Sequence, residues 1–311
     1  MSTFVVAGIT QIETIVKVEH LPADFVPMTS VPDSIHIAPG GDAYNEALAL
    51  TWLGDNVQLY SIVGRNQDMS LFNPPGSRVT ISTEYMLPLV DHLPMQVILC
   101  DKERQQQIFE DIKDLRDVSY DMSMVAPGIA YCDMVVLSNA NFCRPFIKVA
   151  ERYGKPIAVN VHEYREDKEK YSEDFLKAAS VMYFSDDTIT GDPFDFVNDI
   201  IEKYDPEVII LGQGAKGLIL YDKKKQLKVH YNTVQTNEVV NTAGAGNALL
   251  ACFLHFYLET GDSVLAIKDA LLFASYKIGY VGTSTGFLTV EQLEQWHNLI
   301  WGINSPMQLD Q

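Results

Sequence analysis

The chain has 311 residues, 47% of them apolar and 21% charged, and its 23 basic against 41 acidic residues leave a net charge of −18. These proportions exclude a disordered chain, and at this length roughly 70–75% of the unfolded surface can be buried without disulfides or metals. A charge of this sign argues against nucleic acid and membrane surfaces as partners, although phosphates held by backbone N–H groups remain compatible with it. The four cysteines, Cys100, Cys132, Cys143 and Cys252, lie in apolar contexts without CxxC pairing. Four buried thiols in a reducing, cytoplasmic setting are expected, and no metal site or disulfide framework. No basic residue precedes Lys17 and no cleavage pattern follows, so no signal peptide is expected. The longest apolar stretch, 248–258, is interrupted by His255 and is far short of the roughly 20 residues of a membrane span.

In chain order, Phe4–Val6 reads as a short strand ending at Gly8. Residues 14–38 contain Pro22, Pro27 and Pro32 and read as irregular edge or lid strands. After Gly40-Gly41, the apolar spacing of Asn45–Leu53 predicts a helix stopped by Gly54. Val57–Val63 is a strand, 66–80 is turn-rich, and 85–111 reads as a hairpin with a wet tip. From Asp133 onward strands MVVL, PIAVN, VMYF and EVIIL alternate with helices at 142–153, 172–179 and 194–204. Strands that are apolar throughout and alternate with helices predict a doubly wound, mostly parallel α/β sheet covered on both faces. Leu218–Tyr221 and Leu227–Tyr231 form a hairpin about the solvated Lys223-Lys224-Lys225 turn. Helices at 246–259, 263–281 and 290–302 close the chain. His255, among apolar helix residues, is expected to be a satisfied core group, and His162, after the PIAVN strand, a minor candidate for ligand contact.

Three stretches carry chemistry. Asn241-Thr242-Ala243-Gly244-Ala245-Gly246-Asn247 runs directly into an apolar helix. Small residues let a ligand approach the backbone, and the free N–H groups at a helix start can hold a phosphate or a developing oxyanion; the bland alternative is a turn that packs a helix on a sheet. Gly40-Gly41-Asp42-Ala43-Tyr44-Asn45 can approach a polyhydroxylated ligand, with Asn45 as donor and acceptor or as the cap of the following helix. Gly212-Gln213-Gly214-Ala215-Lys216-Gly217 fits GxGxxG, but a strand, LILYD, follows it where a dinucleotide fingerprint needs a helix. It reads as a β-turn beside a nucleotide.

Together, a GG-x-x-x-N loop early in the chain and a T-x-G-A-G turn late in it resemble the ribokinase-like (PfkB) family of carbohydrate and nucleoside kinases. The resemblance covers nearly the whole chain. It implies a single α/β domain over 1–311 with lid strands inserted at about 14–38 and 85–111. It implies a sugar or nucleoside as substrate, ATP and Mg²⁺ as cofactors, and a homodimer formed through the lid. The sugar pocket would use Gln11, Glu13, Gly40, Gly41 and Asn45. The N–H groups of Gly244, Ala245 and Gly246 would form the anion hole, and Thr242, Gly212, Gly214 and Gly217 would border the nucleotide, which would lie between that turn and the helices after 260.

The sequence departs from the family pattern chiefly in its acids. Asn247 stands where the resemblance places the catalytic Asp, and an amide cannot accept a proton as a carboxylate does. Asn241 opens the second motif in place of Asp, Gly64-Arg65-Asn66 replaces a G-x-D element, and Asn160 closes a strand where an Asp is common. Ser185-Asp186-Asp187-Thr188 replaces an N-x-x-E element, and Gln11 and Glu13 are each one methylene longer than the usual Asn and Asp. Two readings therefore stand: a phosphotransferase weakened at its base, and a non-catalytic relative that binds a sugar, nucleoside or nucleotide as a sensor or partner subunit.

Overall fold

The structure, a computed structural model, describes residues 1–73, 77–161, 164–165 and 169–302; His162 lies outside them. The chain begins with strands β1 (Thr3–Ala7), β2 (Gln11–Lys17) and β3 (Ile35–Gly40), helix α1 (Asp42–Trp52) and β4 (Asn56–Gly64). Strands β5 (Met86–Val90), β6 (Met95–Cys100) and β7 (Gln106–Asp111) follow, then α2 (Met122–Tyr131), β8 (Met134–Ser138), α3 (Arg144–Arg152) and β9 (Ile157–Val161). The rhythm continues with α4 (Glu169–Ala178), β10 (Val181–Ser185), α5 (Pro193–Tyr204) and β11 (Val208–Gly212). A hairpin of β12 (Leu218–Asp222) and β13 (Leu227–Tyr231) precedes α6 (Ala245–Thr260), α7 (Ser263–Lys277) and α8 (Val290–Trp301).

Nine strands form the main sheet in the order β13-β12-β11-β10-β9-β8-β1-β4-β5. All neighbours pair in parallel except the β11–β12 and β12–β13 pairs. The period of two in each strand separates two cores. Phe4 and Val6 of β1 and Val208 and Ile210 of β11 join α1, α6 and α7 on one face. Val5 and Ala7, with Ile209 and Leu211, join α2–α5 on the other. Burial on both faces explains why these strands are apolar without alternation. Helix α6 is sandwiched between the sheet and α7 and is buried almost all round, which accounts for its uniformly apolar sequence.

A second sheet of four strands runs β3-β2-β6-β7, with β2–β6 parallel and the outer pairs antiparallel. Between β2 and β3, residues 18–34 carry no helix or strand. This sheet corresponds to the expected lid, with one correction. The second lid segment begins at Met95, not at 85, because Met86–Val90 pairs in parallel with β4 at the edge of the main sheet. Met86 and Val90 are buried there, and Pro88 is tolerated because an edge strand has an unpaired side. A second correction concerns α1, which starts at Asp42 instead of Asn45. Gly41 is its N-cap, at φ 98°, so Asn45 lies inside the first turn, where its N–H donates to Gly41 O at 2.9 Å.

His255 on α6 is buried and its Nδ1 lies 2.7 Å from Asp55 Oδ2, as expected of a satisfied core histidine. Asp55 Oδ1 also accepts the Ser2 N–H at 2.8 Å, so one carboxylate ties α6 to the N-terminus. Removing it leaves two donors without a partner. Asp55→Ala is therefore expected to cost about 2 kcal/mol of folding stability, measured by urea unfolding.

Candidate functional site

In the main sheet the chain leaves β1 toward β4 on one side and occupies β8 through β11 on the other. Ligands of open α/β sheets bind where the strand order reverses in this way, beyond the C-terminal ends of the strands. Buried polar atoms collect at that edge. Thr10 Oγ1, Gln11 Oε1, Asn45 Oδ1, Glu46 Oε2, Ser138 Oγ and Asn160 Oδ1 have no hydrogen-bond partner among the described residues. Each would cost free energy if it stayed unpaired in a dry interior. These six atoms lie after β1, at the start of β2, at the ends of β8 and β9 and on α1, where water or a polar ligand would satisfy them.

The early glycine pair is held by Glu13, which is 3% exposed. Its Oε1 accepts the Gly41 N–H at 2.8 Å and Gln11 Nε2 at 3.1 Å, and Oε2 accepts the Thr283 hydroxyl. Gly40 admits no side chain, since a Cβ would run into that carboxylate, and one on Gly41 would lie 2.4 Å from Ile9 O. Gln11, Glu13, Gly40, Gly41 and Asn45 thus meet at one end of the crevice. Glu13 spends its oxygens on protein donors, whereas Gln11 Oε1 and Asn45 Oδ1 have no partner among the described residues.

At the other end lies the turn before α6. Gly244 adopts the left-handed conformation (φ 78°), and a side chain there would strike Thr283 O. The Ala245 N–H donates to Thr242 O at 3.1 Å, so it is not one of the free donors. The N–H groups of Gly244, Gly246 and Asn247 make no hydrogen bond among the described residues. Residues 244–247 are half-buried, so the turn opens to the outside and is not sealed in the fold. Three outward N–H groups at the positive end of a 16-residue helix can bind an anion.

Side chains join the two ends. Asn160 Nδ2 donates to Glu46 Oε1 at 2.6 Å and to Asn247 Oδ1 at 2.9 Å. Burial, reinforced by Asp42, pushes the Glu46 carboxyl well above the usual range despite the Asn160 hydrogen bond. Tyr183, on β10, fills the space where a side chain on Gly246 or Gly212 would go. Burial, with Asp187, Asp186 and Glu46 nearby, keeps its phenol protonated. Gly212, Gly214 and Gly217 border a tight turn in which the Gln213 N–H donates to Gly217 O at 2.8 Å, and Gln213 Nε2 lies 3.5 Å from Asp186 Oδ2. Thr242 Oγ1 accepts Gln106 Nε2 of β7 at 2.7 Å, which pins the small sheet to the turn.

Glu46, Tyr183, Gln106, Thr283 and Lys277 were not singled out by the sequence. Lys277 is the most unusual. It ends α7 with no exposed surface, and its ammonium donates to Ala243 O directly behind the turn. A lone lysine closing an apolar helix is a weak signal, because such residues more often snorkel to the surface.

Residues 187–290 match the pfkB family carbohydrate kinase model. A deoxyribokinase of Salmonella typhi is 34% identical over 91 residues, which is 29% of this chain and 29% of that relative. A nucleoside kinase of Methanocaldococcus jannaschii is 23% identical over 95% of this chain and 98% of its own. Among solved structures, a microbiome-derived acarbose kinase superposes with a TM-score of 0.81 at 23% identity, covering 95% of this chain and 98% of its own. Arabidopsis thaliana ribokinase, complexed with ribose and ATP, superposes with a TM-score of 0.74 at 15% identity, covering 95% and 98%. The architecture is the ribokinase-like fold. Over residues 187–290 the chain is similar to the pfkB family carbohydrate kinases, the family that the two motifs resemble.

Burial pushes the Lys277 ammonium down to about 8, against the pull of Glu13 and Cys100. Below pH 8 the folded state bears the full cost of that buried charge. Between pH 8 and the ordinary lysine range near 10.5, the unfolded chain binds more protons than the folded one, so this group's contribution to stability rises with pH. The stability difference between the wild type and Lys277→Met should shift by about 3 kcal/mol in favour of the wild type across that window, read by urea unfolding at several pH values.

Proposed function

We propose that the chain is an ATP-dependent carbohydrate or nucleoside kinase of attenuated activity. The observation that carries this reading is the half-buried turn with free N–H groups on Gly244, Gly246 and Asn247, joined through Asn160 to a crevice of unpartnered polar atoms. A sugar or nucleoside would meet Gln11, Gly40, Gly41 and Asn45, with Glu13 holding the loop behind them. The turn would steady the transferring phosphoryl group, and the nucleotide would run past Thr242 toward Gly212, Gly214 and Gly217. That arabidopsis ribokinase is complexed with ribose and ATP supports both ligands.

In the reaction a ligand hydroxyl forms the new P–O bond as the bond to the β-phosphate oxygen breaks, and ADP leaves. The hydroxyl proton must go to the phosphoryl oxygens or to water, because Asn247 cannot take it. Loss of a positioned base costs about 10²–10⁴ in rate, and positioning and electrostatics retain the rest. Mg²⁺ would supply neutralisation of the phosphate charge. It needs only one or two carboxylates and keeps much of its water. Asp186 and Asp187, which reach toward Gln213 and Ser185, would hold those waters; among the described residues no cluster forms an all-protein metal site.

A second reading, a binding protein without turnover, is favoured by Asn247 Oδ1 being engaged by Asn160. Purified protein with ATP, Mg²⁺ and a panel of sugars and nucleosides separates the two. Slow ADP release with one panel member supports the kinase. A ligand-induced rise in melting temperature without ADP release supports the binding protein.

One face of the small sheet carries Ile35 and Ile37 of β3 and Phe109 of β7, all exposed. We place a second copy of the chain on this face, since both edge strands are open to pairing. Light scattering should give a dimer at micromolar concentration, and Ile37→Lys should return the monomer. Four free, buried cysteines suit a reducing cytoplasm, and among the described residues no helix is long and apolar enough to cross a membrane.

A further inference from the structure

The Asn160 amide places two oxygens on one NH₂ group, Glu46 Oε1 at 2.6 Å and Asn247 Oδ1 at 2.9 Å. An NH₂ has two hydrogens, so both acceptors are satisfied and neither has a competitor. Glu46 is 1% exposed, and its other oxygen has no partner among the described residues. No Lys, Arg or His forms an ion pair with it among the described residues. The groups that face it are Asp42, four residues before it on α1, and Tyr183 on β10, with Asn160 on β9 and Asn247 on α6. None of them is cationic. A node built in this way tolerates at most one negative charge.

We infer that Glu46 and residue 247 share one buried place for negative charge and that this chain puts the carboxyl at 46. Asn160 hands the consequence on to the crevice: its N–H fixes Asn247 with the carbonyl oxygen inward. The Asn247 NH₂, which makes no hydrogen bond among the described residues, is then the group left for a ligand, beside the N–H groups of Gly244, Gly246 and Asn247. Position 247 meets the ligand as a donor where a kinase of this type would present an acceptor. Glu46 is a positioning residue in this arrangement, acting through Asn160. The inference rests on the kinase reading only for its kinetic consequence, since the shared node is a property of the fold.

The node makes the two positions interdependent. Asn247→Asp puts a second carboxylate on the same NH₂, and two carboxylates that share a site raise one another's proton affinity. At most one of the two carboxyls is then ionised near neutral pH, so the new aspartate competes with Glu46 for the charge and is a poorer base than it is in the Glu46→Gln background. Glu46→Gln removes the competitor while keeping the shape and the acceptor oxygen. The test is therefore a cycle of wild type, Asn247→Asp, Glu46→Gln and the double variant, assayed in two ways.

The first assay is urea unfolding at pH 5 and pH 8. At pH 8 Asn247→Asp should lower the folding equilibrium constant at least about ten-fold more with Glu46 present than with Gln, one pKa unit being ten-fold. At pH 5 the excess should shrink. An equal penalty in both backgrounds at pH 8 overturns the inference. If a Glu46→Gln variant does not fold, ¹³C-carboxyl titration of the folded Asn247→Asp protein decides. Two coupled steps displaced apart support the shared node, and a single ordinary aspartate transition overturns it.

The second assay is ADP release with ATP, Mg²⁺ and whichever sugar or nucleoside the wild type turns over. Asn247→Asp alone should gain less than about ten-fold, while the double variant should recover about 10²-fold or more with a pH profile that rises as the aspartate ionises. Equal gain in the single and double variants overturns the inference. If no variant releases ADP but the pH-dependent coupling in stability is present, the shared node stands and the kinase reading fails.

Discussion

Strand β1 runs between β4 and β8, and the chain winds away from it in opposite directions on its two sides. Connections that depart to opposite sides leave the C-terminal edge open between them, so a crevice forms there whatever side chains the strands carry. Helices α1 and α6 both begin at this opening, capped by Gly41 and Gly244. Both caps have positive φ, and both lie against backbone carbonyl groups, of Ile9 and of Thr283, that leave no room for a side chain. The two glycine motifs, far apart in sequence, belong to helices that pack side by side on one face of the sheet. They meet because the sheet brings both helix starts to the same edge.

The small sheet is fastened to that edge by polar contacts made inside the protein, not by a large apolar interface. Glu13 of β2 accepts donors from β2, the glycine pair and the loop after α7. Gln106 of β7 donates to Asn241 and Thr242, and Ser284 Oγ donates to Pro39 O at 2.9 Å. Lys277 holds Ala243 from behind. Buried charge of this kind contributes little net stability, because desolvation offsets attraction. It does specify geometry: carbonyl oxygens and N–H groups find partners only in one arrangement of sheet, loop and turn. Among the described residues the core satellite under the small sheet contains only Ile15, Ile98, Cys100 and Ala243 as buried apolar residues, so the polar contacts decide where it sits.

The main sheet was legible in the sequence because burial on both faces writes a plain signal: apolar runs such as VVA, MVVL and VIIL, separated by helices of eight to fourteen residues. The glycine-rich start of α6 was legible because its small residues are contiguous. The lid was read less well. Its strands carry exposed apolar residues such as Ile35 and Ile37, so hydrophobicity no longer reports burial there, and Met86–Val90 was assigned to the lid for that reason. Glu46, Lys277 and Thr283 were illegible for a different reason. Their importance comes from partners 114, 34 and 270 residues away, and no local pattern encodes such a partner. Glu46 in particular sits one residue past Asn45 and reads, in isolation, as an ordinary charged position on a helix.

The distribution of acids is the least expected feature of a chain with 41 of them. Around the anion turn the residues are amides: Asn241, Asn247, Asn160 and Gln106, each bonded to at least one of the others. The one carboxyl in that network, Glu46, is buried and biased toward its neutral form. An amide keeps the hydrogen-bond geometry of a carboxylate while adding donors and removing charge. A polyanion approaching this edge therefore meets N–H groups from the helix start and from side chains, with less repulsion to be screened by a metal ion than carboxylates would impose. On the proposed kinase reading, amides at these positions would favour holding phosphate groups over taking a proton from a hydroxyl, so binding and chemistry, which a carboxylate at 247 would balance, would be weighted toward binding.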